Sequence, residues 1–74
     1  MKTKEEIQAI IGLNVRKARE GAGLSQFDLA LESDLHRNMI DLIERGQTMP
    51  TVFTIYKLSE ALELELSELL IGVK

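Results

Sequence analysis

The chain has no cysteine and only one histidine among its 74 residues. Without cysteine it can form neither a disulfide bond nor a thiolate zinc site, and it has no thiol nucleophile. The single histidine has no second histidine with which to share a metal ion, so we expect no bound metal and no cofactor. Pairs of nucleophile and base, phosphate-cradling loops and a core large enough to enclose a cleft are missing as well. The composition therefore argues against an enzyme.

A long apolar run is also missing. The N-terminal stretch MKTKEEIQAIIGLNVRKAR places charges on both sides of a short apolar segment, which predicts neither a signal peptide nor a membrane span. Seventy-four residues form one domain, residues 1–74, with no separate sensing lobe, so no small-molecule ligand is expected. The lack of cysteine fits a reducing cytoplasm, so we expect a cytoplasmic protein.

An excess of positive charge is missing too, since nine Lys and Arg stand against twelve Asp and Glu, a net charge of −3. Taken alone, this charge argues against nucleic acid, because affinity for DNA comes largely from neutralisation of phosphates by Lys and Arg. From residue 57 onward, two lysines face four glutamates, whereas residues 13–50 carry five basic and six acidic side chains. The first two thirds of the chain is therefore nearly neutral.

The pattern that is present is helical along almost the whole chain, with no strand alternation and no internal repeat. Thr3 and Glu6 have the spacing of a capping box at the start of the first helix, and Gly23 suits its end. Ser25 is a capping residue for the second helix. We expect an all-α, compact five-helix bundle with helices at about 4–21, 25–32, 36–45, 52–62 and 66–70.

The second and third predicted helices are short and joined by a tight turn, as in a helix-turn-helix motif at about 25–45. At about 100° per residue, Ile40 and Ile43 lie on one face of the third helix. Arg37 and Asn38 lie on the opposite face, in the first turn. Arg pairs with guanine O6 and N7, and Asn with adenine N6 and N7. These two side chains either contact base edges or simply form a solvated helix face.

The segments GLSQFDLALESDLHRNMIDLIERGQTMP and LSEALELELSELL resemble the Xre, or lambda-repressor-like, family of bacterial and phage regulators, over about residues 11–70. The spacing of the pattern LSQ…LA…I..IERG…P carries the resemblance, and the run LHR…I..IERG is similar to the small controller proteins of restriction–modification systems. The resemblance implies a lambda-repressor-like DNA-binding domain of bacterial or phage type, associated with the nucleoid. It would bind a (pseudo)palindromic operator in double-stranded DNA as a homodimer, with the third helix in the major groove.

The resemblance also implies roles for single residues. Those expected to contact bases are Arg37, Asn38, Met39 and Asp41. Those expected to contact phosphate are Ser25, Gln26, His36, Gln47 and Thr48. Apart from the resemblance, Arg16 and Lys17 are either phosphate contacts or ordinary helix-surface charges. Arg19 and Glu44 match a buried ion pair that ties the first helix to the third.

The sequence departs from the family pattern at several positions. Asp34 stands where the turn usually has Gly, and we expect the turn to survive because Asp tolerates the left-handed conformation. His36 replaces the usual Ser or Thr cap, which should weaken the start of the third helix. The carboxylate of Asp41 would repel phosphate, so we expect it to pair with Arg37 one turn back, or to accept a hydrogen bond from cytosine N4. Glu63 replaces a Gly, which leaves the boundary before the last helix open.

On the fourth helix an aromatic side chain is predicted to lie opposite the buried stripe. That stripe is expected to hold Val52, Ile55, Leu58, Ser59 and Leu62. Phe53 falls opposite it, flanked by Tyr56, Lys57 and Glu60, and an exposed aromatic side chain suggests a dimer interface. The alternative is that Phe53 is covered by the tail 71–73 or by the N-terminal part of the first helix.

A protein-interaction module on the same fold, such as an antitoxin or an adaptor, is the second hypothesis for function. Fold does not fix function, and the negative charge favours a module with little intrinsic affinity for DNA. Both hypotheses are therefore retained at this point.

Overall fold

The computed structural model describes all 74 residues as four α-helices and one 3-10 helix. These are α1 (Lys4–Gly21), α2 (Gln26–Ser33), α3 (Arg37–Glu44), α4 (Val52–Leu62) and a C-terminal 3-10 helix (Leu66–Leu70). The all-α class is as expected, but the prediction of a fifth α-helix is wrong. A five-residue segment has room for little more than one turn, and such short segments commonly adopt the tighter i→i+3 hydrogen-bond pattern. No helix is long and apolar enough to cross a membrane.

Side-chain caps begin three of the four α-helices. The capping residues are Thr3, Ser25 and Thr51. At α1 the backbone N–H of Thr3 donates to the carboxylate of Glu6, and this hydrogen bond lowers the pKa of Glu6. At α2 the backbone N–H of Ser25 lowers the pKa of Asp28 in the same way. Helix α3 is the exception, because His36 makes no capping hydrogen bond with its side chain.

Each of the four α-helices is followed, within two residues, by a residue in the left-handed conformation. These residues are Gly23 (φ 73°), Asp34 (φ 56°), Gly46 (φ 69°) and Glu63 (φ 58°). The residue after each one donates its N–H to the carbonyl five positions earlier, the hydrogen bond of a Schellman motif. Asp34 therefore adopts the left-handed conformation expected of it, and Glu63 sets the boundary that the sequence left open.

The core contains ten buried apolar side chains from all five elements. They are Ile11, Val15, Leu29, Ala30, Ile40, Ile43, Ile55, Leu58, Leu62 and Leu69. On α2, Leu29 is buried, whereas Phe27 is 59% exposed. The expectation that Val52 points inward is wrong, because its side chain is 73% exposed. It lies in the first turn of α4, roughly 70° from the middle of the buried stripe and on the side of Tyr56.

Helix α1 is the element that fixes α3 in place. A Cβ atom at Gly12 would overlap the carbonyl oxygen of Ile43 and would lie 2.9 Å from that of Glu44. The two helices therefore meet backbone to backbone, near the C-terminal end of α3. At the other side of α1, the amide of Asn14 donates to the carbonyls of Leu69 and Ile71, which ties the C-terminal segment to the same helix.

Candidate nucleic-acid interface

Helix α3 has one buried face and one exposed face. Ile40 and Ile43 are fully buried, as the helical periodicity predicted. The N-terminal turn is exposed, and its residues are His36, Arg37, Asn38 and Met39. This turn therefore presents hydrogen-bonding groups, and the Met39 side chain (38% exposed), on a helix whose other face is held in the core.

The guanidinium of Arg37 makes no ion pair, which corrects the expectation that it pairs with Asp41. The carboxylate of Asp41 instead lies 3.0 Å from Nη2 of Arg45, one turn toward the C-terminus. Arg37 and Arg45 are both four residues from Asp41, so either could pair with it. On a helix the better orientation has the acidic residue N-terminal to the basic one, which favours Arg45. The consequence is that Asp41 is neutralised by Arg45, and the charge of Arg37 remains available at the exposed turn.

A second ion pair joins α1 to the C-terminal end of α3. The Nε and Nη2 atoms of Arg19 lie 2.7 and 3.0 Å from the two carboxylate oxygens of Glu44. Only 12% of the Arg19 side chain and 3% of the Glu44 side chain are exposed. The Nη1 group of Arg19 also donates to the carbonyl of Leu24, and the hydrogen bonds to Glu44 raise the pKa of the guanidinium. The pair is therefore bidentate and shielded from solvent.

The side chain of Gln26 belongs to the same network. Its Nε2 atom lies 3.2 Å from Oε1 of Glu44 and 3.5 Å from Oδ1 of Asp41. Both donors of the amide therefore point toward carboxylates on α3. The backbone N–H of Gln26 is the donor that remains for a ligand at this point, since the first N–H groups of a helix have no partner within it. The hydroxyl oxygen of Ser25 accepts a hydrogen bond from the N–H of Asp28.

The remaining residues expected at phosphates are placed on α1 and on the loop after α3. Arg16 pairs with Glu20 at 3.3 Å, and both side chains are more than half exposed. Lys17 is exposed and makes no ion pair. Neither side chain makes a hydrogen bond to α2 or α3. On the loop, Gln47 is exposed and Thr48 is partly buried.

The α4 patch, formed by Val52, Phe53 and Tyr56, is a separate exposed surface. The Phe53 side chain is 64% exposed, so neither the tail nor the start of α1 covers it, and that alternative is wrong. Its ring stacks on Tyr56 with centroids 6.4 Å apart, and the ammonium of Lys57 lies 4.9 Å from its centroid. The hydroxyl of Tyr56 lies 3.5 Å from a carboxylate oxygen of Glu60. The four residues expected at the interface therefore form one continuous surface.

Comparison with known proteins identifies the same motif. A helix-turn-helix family model, HTH_3, matches residues 15–69. The control protein C.BamHI of Bacillus amyloliquefaciens is 40% identical over 65 residues, which cover 86% of this chain and 80% of that protein. The control protein C.SmaI of Serratia marcescens is 38% identical over 65 residues, covering 88% of this chain and 77% of that one.

A solved structure is similar as well. The crystal structure of the restriction-modification controller protein C.AhdI from Aeromonas hydrophila superposes with a TM-score of 0.82 at 39% identity, covering 84% of this chain and 94% of that one. The relatives are regulators and not enzymes, as expected from the sequence. The resemblance seen in the sequence is confirmed: the chain belongs to the Xre family of helix-turn-helix transcription regulators.

Proposed function

We propose that this protein binds a (pseudo)palindromic operator as a symmetric homodimer, with α3 of each subunit in the major groove. The observation that carries the proposal is the first turn of α3. Arg37 is exposed there without an ion-pair partner, Asn38 is beside it, and the opposite face of the helix is buried. The recognition helix of a helix-turn-helix protein contacts bases with residues at this end.

The exposed residues of α3 supply groups of different chemistry for reading bases. Arg37 suits guanine and Asn38 suits adenine, each through two hydrogen bonds, and the apolar Met39 suits the methyl group of thymine. The carboxylate of Asp41 accepts from cytosine N4, while Arg45 offsets its charge. Specificity would then come from four consecutive or nearly consecutive positions on one short helix.

Contacts to phosphate would position the helix without reading sequence. The N-terminus of α2 offers the hydroxyl of Ser25 and the backbone N–H of Gln26, in a place where helix geometry favours an anion. His36 immediately precedes α3, and Gln47 and Thr48 lie in the loop after it. These three residues would also contact phosphate. Arg16 and Lys17 on α1 would add positive charge at the edge of the interface.

The dimer would form through the α4 patch together with Lys57 and Glu60. Aromatic side chains are enriched at the centres of protein interfaces, and this patch has no partner within the chain. A dimer also answers the charge problem, because a chain with net charge −3 offers few phosphate contacts by itself. Two domains on a two-fold axis would add their contacts on half-sites about 34–36 Å apart.

Selection of bound sites from random duplex DNA tests the proposal. The expected result is one enriched sequence with two-fold symmetry. The affinity of the protein for that duplex should fall as the salt concentration rises, because phosphate contacts release counterions. An adaptor or antitoxin with little affinity for DNA would give no enriched sequence and no salt-dependent binding, and that outcome would refute the proposed function.

Sedimentation at micromolar concentration tests the dimer. Wild type should run as a dimer, and Phe53→Glu should run as a monomer because it places a charge in the middle of the α4 patch. Phe27→Glu is the matched control, since Phe27 is similarly exposed but lies on α2. If wild type and Phe53→Glu run as the same species, the α4 patch is not the interface.

A further inference from the structure

The end of α3 differs from the ends of the other three α-helices. After the left-handed residue, an apolar side chain normally packs back onto the last turn of the helix. At α1, α2 and α4 this residue is a leucine that packs against the core: Leu24, Leu35 and Leu64. At α3 it is Gln47, which is exposed. The loop that begins there therefore lacks the apolar anchor that the other three helix ends possess.

A partly buried hydrogen bond from α1 stands in place of that anchor. The side chain of Gln8 is 8% exposed, and its Nε2 atom donates to the carbonyl of Gly46 at 3.0 Å. The backbone of Gly46 is pressed against α1, because a Cβ at this residue would lie 3.2 Å from the Cα of Ala9. The chain is thus held at the residue immediately before Gln47.

Gln8 also differs from the two other uncharged polar residues that are buried, Ser33 and Ser59. The hydroxyls of Ser33 and Ser59 donate to carbonyls of their own helices, Leu29 and Tyr56. Gln8 alone reaches a different part of the chain, 38 residues away. A buried amide is costly unless it is hydrogen-bonded, so this one fixes a specific partner rather than simply filling space.

We propose that Gln8 is a positioning residue for DNA binding. By holding the Gly46 carbonyl it sets the direction in which Gln47 and Thr48 leave α3, so that they face the DNA backbone. One hydrogen of the exposed Gln47 amide is directed at the carbonyl of Arg45, 3.4 Å away, and the other is left for a phosphate. Gln8 itself is buried beneath the loop and touches no DNA. The inference rests on the proposed function, and it adds a residue of α1 to the binding machinery.

The test compares Gln8→Met with Ile11→Val. Methionine keeps the volume of the side chain and removes the donor, whereas Ile11→Val trims a buried residue of the same helix and removes no hydrogen bond. Affinity is measured per folded molecule, by stoichiometric titration, for a duplex recovered by selection and for a scrambled duplex. Gln8→Met should weaken both about 2- to 10-fold, the size expected for one hydrogen bond, with base preference unchanged. Ile11→Val should leave both unchanged.

A double-mutant cycle separates positioning from simple support of the fold. If Gln8 acts through the loop, Gln8→Met should weaken DNA binding by less than a further twofold in a protein that already carries Gln47→Ala and Thr48→Ala. Gln8→Leu, which also removes the donor and adds no charge, should behave like Gln8→Met and serves if the latter folds poorly. In the DNA-free protein, hydrogen exchange at the backbone amide of Gln47 should also be faster in Gln8→Met than in Ile11→Val.

The possible failures are distinguishable. If wild type binds the selected duplex and Gln8→Met binds it equally well per folded molecule, the positioning role is wrong while the proposed function stands. The positioning role is also wrong if Gln8→Met still weakens DNA binding by its full amount in a protein that carries Gln47→Ala and Thr48→Ala. If wild type binds no DNA, both proposals fail together.

Discussion

The two ends of α3 are built in opposite ways. The C-terminal end is held by α1 at three places, through Gly12, through the Arg19–Glu44 pair and through the hydrogen bond from Gln8 to Gly46. The N-terminal end has no side-chain cap, and its first residues are exposed. An eight-residue helix is not stable alone, so its order must come from tertiary contacts. One end therefore supplies stability, which leaves the other end free to carry the residues that we propose bind DNA.

The largest effect should follow from breaking the buried pair at the C-terminal end. Arg19→Met should leave the carboxylate of Glu44 without its cationic partner and destabilise the domain by about 3–5 kcal/mol. Arg16→Met is the control, because Arg16 pairs with Glu20 on the surface of the same helix and should cost at most about 1 kcal/mol. Denaturant unfolding of the two variants measures the difference. An unchanged midpoint in Arg19→Met would show that the pair contributes nothing.

The close approach of α1 to α3 gives the next largest effect. Gly12→Ala should force the two backbones apart and cost about 2–3 kcal/mol, because its Cβ meets carbonyl oxygens that cannot move independently. Gly21→Ala is the same change in the same helix, but its Cβ would have no neighbour within 4 Å. It should therefore stabilise the domain by about 0.5–1 kcal/mol. Thermal unfolding of both variants tests this, and equal effects at the two sites would mean that the helices do not meet as described.

The boundaries of the α-helices were predictable because their signals are local. Caps such as Thr3 and Thr51 stand beside the turns that they stabilise, and the left-handed end at Gly23 is a property of single residues. The type of the last element was not predictable in this way, since a five-residue segment can adopt either the α or the 3-10 pattern.

The candidate site was only partly predictable, for two physical reasons. Asp41 has a basic residue one turn away on both sides, so spacing alone did not decide between Arg37 and Arg45. The partner of Gln8 lies 38 residues along the chain, and helical periodicity carries no information about such a contact. The one available signal was an amide on the apolar side of α1.

At the N-terminal end of α3 the expected effects are on binding. Arg37→Ala should cost about 1–3 kcal/mol against the selected duplex and relax specificity at one base position, with little change in stability. Lys17→Ala is the comparison, because loss of a phosphate contact should weaken all sequences alike. Titration of each variant with the selected duplex measures the loss of affinity, and repeating the selection with each variant measures the change in specificity. If Arg37→Ala discriminates its site as before, Arg37 does not read a base.

The smallest effect should come from giving α3 the cap that it lacks. His36→Ser places a hydroxyl where it can accept from the N–H groups of the first turn, and should raise stability by about 0.5–1 kcal/mol. The same change removes the imidazole, so binding to selected and scrambled duplexes should weaken equally if His36 contacts phosphate. Unfolding and binding measured on the same samples separate the two effects. A gain in stability with unchanged affinity would show that His36 does not contact DNA. No gain in stability would show that the first N–H groups of α3 are already satisfied without a side-chain cap.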